Sequence, residues 1–138
     1  MNKKGVVAAG HEQTAEAAGF ILAEGGNAFD AVIAAHLAAC VVEPVLSSLA
    51  GGGFLLARPA DGNSVLYDFF VQTPISKRSV EETDFFPISA DFGTVQQEFH
   101  IGLGSIATPG TVKGLFAIHR EHGTLPMTVL AEPAIEMA

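Results

Sequence analysis

Apolar residues recur at helical spacing in the first third of the chain. Phe29, Val32, Ile33, His36, Leu37, Cys40 and Val41 form an i, i+3, i+4, i+7 stripe. The other faces of this segment are mostly alanine, which predicts a helix packed on more than one side. Asn27 precedes it as an N-cap, Asp30 sits in its first turn, and Glu43-Pro44 closes it. An Ala-rich segment from Glu12 to Glu24 predicts an earlier helix, with Ala18, Ile21 and Leu22 on one face and Gly25-Gly26 as the stop. Further on, Phe54 to Ala57 and Ser64 to Phe70 read as two strands, joined by hairpin-turn chemistry over Pro59 to Asn63. Asp84 to Phe99 is aromatic without a clear period and is expected to be a packed loop. Thr108-Pro109 predicts another helix start, with Val112, Leu115 and Phe116 facing the core and Gly123 ending it. Pro133 to Ala138 begins a last helix. Six residues are too few for a stable helix, so the natural chain is expected to run on.

Composition narrows the class. The chain has 138 residues, 49% of them hydrophobic and 16% charged, enough for one compact segment with a real core. A formal net charge of −8, with basic pairs only at Lys3-Lys4 and Lys77-Arg78, argues against nucleic acid and anionic membranes as partners. The lone Cys40 cannot form an internal disulfide. Val6 to Ala9 is too short for a signal-peptide core or a membrane span, which favours a cytoplasmic over a periplasmic setting for the chain as it stands.

Candidate chemistry is sparse. Gly51-Gly52-Gly53 precedes a strand, whereas a phosphate-binding loop needs a lysine and a hydroxyl residue leading into a helix, so these glycines read as architectural. Gly102 to Ala107 fits the loose pattern G-x-G-x-x-A without the strand–turn–helix unit that gives the pattern meaning. His119 and His122, with Glu121 between them, suggest a metal, but the i, i+3 histidine pair needs a third ligand and none is suggested. His36 reads as a packed core histidine. Ser47, Ser48 and Ser105 have no nucleophile elbow around them, and Cys40 among apolar neighbours is an inert thiol. No catalytic residue, metal or cofactor is assigned within this chain.

Two long stretches nevertheless carry a resemblance. "GHEQTAEAAGFILAEGGNAFDAVIAAHLAACVVEP" with "SSLAGGGFLL", and "GSIATPGTVKGLFAIHREHGTLPMTVLAEPAIEMA", resemble the N-terminal region of the gamma-glutamyltransferases. The resemblance implies an α+β chain, residues 1–138 forming a single truncated segment of the large subunit, within a four-layer αββα N-terminal-nucleophile hydrolase fold. It implies a precursor that cuts itself, so that a threonine beyond Ala138 becomes the nucleophile with its own α-amine as base. The substrate would be a gamma-glutamyl or related amide. The partner would be the remainder of the same precursor, and this segment alone would be inactive and prone to self-association.

The same resemblance exposes a departure. Family members carry a stretch like Asp-x-Arg-Glu-x-Ala-Pro, whose arginine holds the donor's α-carboxylate. Here the stretch reads "YDFFVQTP". Asp68 and Pro74 align, but Phe70 stands in place of the arginine and Val71 in place of the glutamate. Phenylalanine cannot make a charged, bidentate contact. Either Lys77 or Arg78 substitutes for it, or the donor lacks that charge and the enzyme is a related amidohydrolase or acylase. Phe69-Phe70 would suit an apolar acyl chain or simply pack in the sheet. A non-catalytic scaffold with a binding or assembly role is the alternative.

Overall fold

The computed structural model describes residues 5–60 and 62–138. Lys3-Lys4 and Asp61 of the expected hairpin turn lie outside the described residues. The elements are α1 (Glu12–Ala23), α2 (Ala28–Val42), β1 (Phe54–Ala57), β2 (Val65–Asp68), β3 (Phe86–Asp91), β4 (Gln96–Ile101), α3 (Thr111–His122) and α4 (Met127–Met137). They fall into two compact units: Met1–Phe70 with Pro109–Ala138, and Val71–Thr108.

In the larger unit α2 is the central helix, packed against α1, α3 and α4. Its caps are those the sequence expects. The Asn27 side chain accepts from the Phe29 and Asp30 amides at 2.8 and 3.0 Å, and Asp30 accepts in return from the Asn27 amide. Before it, α1 ends in two reciprocal backbone bonds, Gly26 N to Ile21 O and Gly25 N to Leu22 O. They require a left-handed residue between them, and Gly25 supplies φ 98°.

The deepest face of α2 is not the expected stripe. Its buried residues are Asp30, Ala31, Ile33, Ala34, Ala38 and Ala39, while Val32 is 39% exposed. Alanines let neighbouring helix backbones come close, so the small-residue face turns inward and the large side chains take the margins. With them, Ala18, Ile21, Leu115, Ile118 and Leu130 complete the core.

β1 and β2 form an antiparallel hairpin in the register Phe54↔Asp68, Leu55↔Tyr67, Leu56↔Leu66 and Ala57↔Val65. Alternation sends Leu55, Ala57, Tyr67 and Phe69 toward the helices. Phe54, Leu56, Leu66, Asp68 and Phe70 share the opposite, exposed face.

Four other expectations are corrected. Asp84 to Phe99 is not an irregular packed loop: in the smaller unit β3 and β4 pair from Phe86↔Ile101 to Asp91↔Gln96, and the hairpin is largely exposed. Its turn is built by Asp91, whose Oδ1 accepts from the Gly93 amide at 2.8 Å, with Gly93 at φ 86°. α3 starts at Thr111 rather than at Thr108-Pro109, because the Gly110 and Thr111 amides both donate to the Gly51 carbonyl. The buried face of α3 is Thr111, Gly114, Leu115 and Ile118, whereas Val112 and Phe116 are about half exposed. Finally, the last helix begins upstream of Pro133, at Met127.

Asp30 has no solvent exposure. Its carboxylate accepts from Thr124 N at 3.0 Å, Thr124 Oγ1 at 2.5 Å, Asn27 N at 3.0 Å and Leu125 N at 3.4 Å. Burial pushes the carboxyl pKa up, but these hydrogen bonds outweigh it and hold the group below the usual aspartate value. A lowered native pKa contributes stability that is full above the unfolded value of about 3.9 and is lost as pH falls toward the native one. Asp30→Asn is therefore expected to cost about 2–3 kcal/mol at neutral pH. In urea unfolding, the gap to wild type should stay constant above about pH 4 and narrow below it.

Candidate functional site

The stretch from Asp68 to Pro74, on which the resemblance places the donor contact, begins where β2 ends. Beyond the named strands the ladder runs one pair further, with Phe69 N to Gly53 O at 3.1 Å and Gly53 N to Phe69 O at 3.3 Å. Phe69 is held from several sides. A Cβ on Gly53 would lie 3.1 Å from its ring, and one on Gly114 would strike the ring outright, as one on Gly110 would strike the Phe69 carbonyl. These glycines thus permit close approach. Gly51–Gly53 do so without a positive φ, which falls instead on Gly25, Gly93 and Gly102.

With Phe69 fixed inward, Phe70 points away from the helices. Asp68 Oδ1 accepts from its amide at 3.0 Å, and its ring stacks on Phe54 with centroids 5.4 Å apart and planes at 12°. The two rings are 50% and 59% exposed. Phe54 was not singled out by the sequence; its pairing depends on the strand register, which only the Phe54↔Asp68 alignment reveals.

Lys77 and Arg78 belong to the smaller unit. Both are exposed and line a concavity of about 600 Å³ together with Glu82 and Asp84, so its cations share it with carboxylates. In the same unit the Gly102 to Ala107 stretch holds a short 3-10 turn, Leu103–Ser105, rather than a helix entry, with Asp84 on its amides: Leu103 N to Oδ2 at 3.0 Å and Gly104 N to the Asp84 carbonyl at 2.7 Å. A carboxylate occupies the position a phosphate would need.

The histidines do structural work. Tyr67 donates to Glu121 Oε2 at 2.5 Å, and its oxygen lies 2.8 Å from His122 Nε2, which must then donate to it. The Glu121 hydrogen bond, burial and the Glu121 charge together raise the Tyr67 pKa. His122 stacks on Phe29 at 4.3 Å, and His119 Nε2 meets the Leu125 carbonyl at 2.7 Å. Among the described residues no group of three or more His, Cys, Asp and Glu could hold a metal ion. His36 lines a cavity of about 170 Å³ beside Ser47 and Ser48, but its Nε2 is buried without a hydrogen-bond partner, so no Ser–His pair exists there. Burial lowers its pKa and raises that of Cys40. No described helix is long and apolar enough to cross a membrane.

The family profile described as Gamma-glutamyltranspeptidase matches residues 14–138. The chain belongs to the gamma-glutamyltranspeptidase family. It is 36% identical to glutathione hydrolase 2 of Arabidopsis thaliana over 118 residues, covering 86% of this chain and 19% of that protein. Identity to the acylase ACY 1 proenzyme of Pseudomonas sp. (strain SE83) is 33% over 137 residues, 98% of this chain and 24% of that protein. The gamma-glutamyltranspeptidase of Helicobacter pylori superposes with TM-score 0.79 at 29% identity, covering all of this chain and 38% of that one. The chain therefore spans about a fifth to a quarter of the length of these curated relatives and corresponds to an N-terminal part of the family. Its α+β elements have the fold of that part of an N-terminal-nucleophile hydrolase.

Because Phe69 is seated against Gly114, Gly114→Ala should force the ring and the end of β2 to shift. An overpacking cost of about 1–3 kcal/mol is expected. Thermal unfolding reads it, and an unchanged midpoint would show that this seat is loose.

Proposed function

We propose that this gamma-glutamyltranspeptidase-family chain supplies one wall of the acyl-donor site of an autoprocessed amidohydrolase, and that the donor is not gripped by its α-carboxylate. Family membership supports the reaction class. The nucleophile is a threonine outside this chain, exposed by self-cleavage. Its hydroxyl attacks the donor amide carbonyl while the threonine amine takes the proton. The leaving amine departs, and water or an amino acid then accepts the acyl group.

The observation that carries the donor reading is Phe70. By the resemblance it stands where the family's arginine would, and it lies just beyond β2, half exposed and stacked on Phe54. A phenyl ring offers no donor to a carboxylate, and the neighbouring Asp68 carboxylate would repel one. Similarity to an acylase proenzyme as well as to glutathione hydrolases, at 33% and 36% identity, is compatible with a donor outside the gamma-glutamyl class.

Phe70→Arg in the full-length protein restores the family's fork. The kcat/KM for gamma-glutamyl p-nitroanilide should rise by tenfold or more, on the order of one charge-assisted hydrogen bond, relative to an uncharged acyl anilide. If Lys77 or Arg78 is the carboxylate ligand instead, the wild type already favours the gamma-glutamyl anilide, and Lys77→Ala with Arg78→Ala abolishes that preference. A full-length protein that cleaves no acyl anilide would favour the scaffold role.

A further inference from the structure

The exposed face of the β1–β2 hairpin holds more than the substituted position. Phe54 and Asp68 are direct cross-strand partners, and Phe70 follows Asp68 on the same face. Two nearly parallel rings and one carboxylate therefore sit together at the end of the hairpin. The rings cover one face of each other and leave about half of each exposed. Phe69, the other aromatic of the pair in sequence, is turned inward against Gly53 and Gly114 and takes no part.

From this placement we infer that Phe54 is a specificity-determining residue, and that Phe54 with Phe70 forms a stacking platform for an aromatic acyl group without a carboxylate. The inference rests on the reading of this region as the donor site. Its logic is electrostatic as well as apolar. The faces of phenyl rings carry negative potential and their edges positive, so a third ring can extend the stack or meet it edge-on. A carboxylate would meet ring faces and Asp68, all of the wrong sign. An alkyl chain gains buried area there but no ring–ring geometry. The platform thus separates aryl from alkyl donors, which the loss of the arginine alone does not do.

The test uses the full-length protein and two uncharged donors, phenylbutanoyl p-nitroanilide and hexanoyl p-nitroanilide. The expected ratio of their kcat/KM values is about fivefold in favour of the aryl donor, the equivalent of one aromatic stacking contact. Phe54→Leu should bring that ratio to about one, Phe70→Leu should do the same, and Phe54→Tyr should retain it. A substitution that only perturbs folding lowers both rates together and leaves the ratio standing, which would overturn the inference, as would a wild-type ratio near one. If neither anilide is cleaved, the amidohydrolase reading fails separately. Calorimetric titration with the uncharged amides phenylbutanamide and hexanamide then reads the platform by itself. Tighter binding of phenylbutanamide that Phe54→Leu abolishes supports it, and equal or absent binding overturns it.

Discussion

The larger unit is organised around one buried carboxylate. Asp30 sits in the first turn of α2, closes that helix's capping box, and takes three hydrogen-bond donors from Thr124 and Leu125, which lie more than ninety residues on. A charge removed from water is tolerable only when its oxygens are filled in this way. The loop between α3 and α4 is consequently tied to the start of α2. The tie extends to the sheet, because Asn27 Nδ2 donates to the His122 carbonyl and the His122 ring meets the Tyr67 hydroxyl on β2. From Asp30 to β2 the structure is one continuous set of polar contacts, with Phe29 stacked alongside.

A second constraint fixes which face of the hairpin residue 70 occupies. Gly53, Gly110 and Gly114 leave room only for Phe69, and strand alternation then sends residue 70 to the opposite face. Phe70 is half exposed there, while the side chains of this stretch packed against the core are Tyr67 and Phe69. The proposed change of donor specificity therefore falls on the exposed face, away from the seat that Phe69 occupies.

Much of this was legible from local chemistry. The stop at Gly25-Gly26, the Asn27 cap and the β1 strand follow from residues within a few positions of each element. What was not legible depends on distant partners. The face that α2 buries is chosen by which neighbours come closest, so the alanines lie inside while Val32 stays exposed. The start of α3 is set by the Gly51 carbonyl, far away in sequence. The β3–β4 hairpin was readable in principle: Phe86 and Ile88 alternate with Pro87 and Ser89, and Asp91 to Thr94 has turn chemistry. Its aromatic content concealed that period. For the site, Phe70 was visible only against the family motif, and Phe54 only once the strands were in register.

The central claim is that this chain works as part of a self-cleaving amidohydrolase. Intact masses of the purified full-length gene product, with N-terminal sequencing of every chain, test it most directly. The account predicts two chains, the larger containing this sequence and the smaller starting with threonine. A single uncut chain, with no threonine at the expected junction, would contradict it.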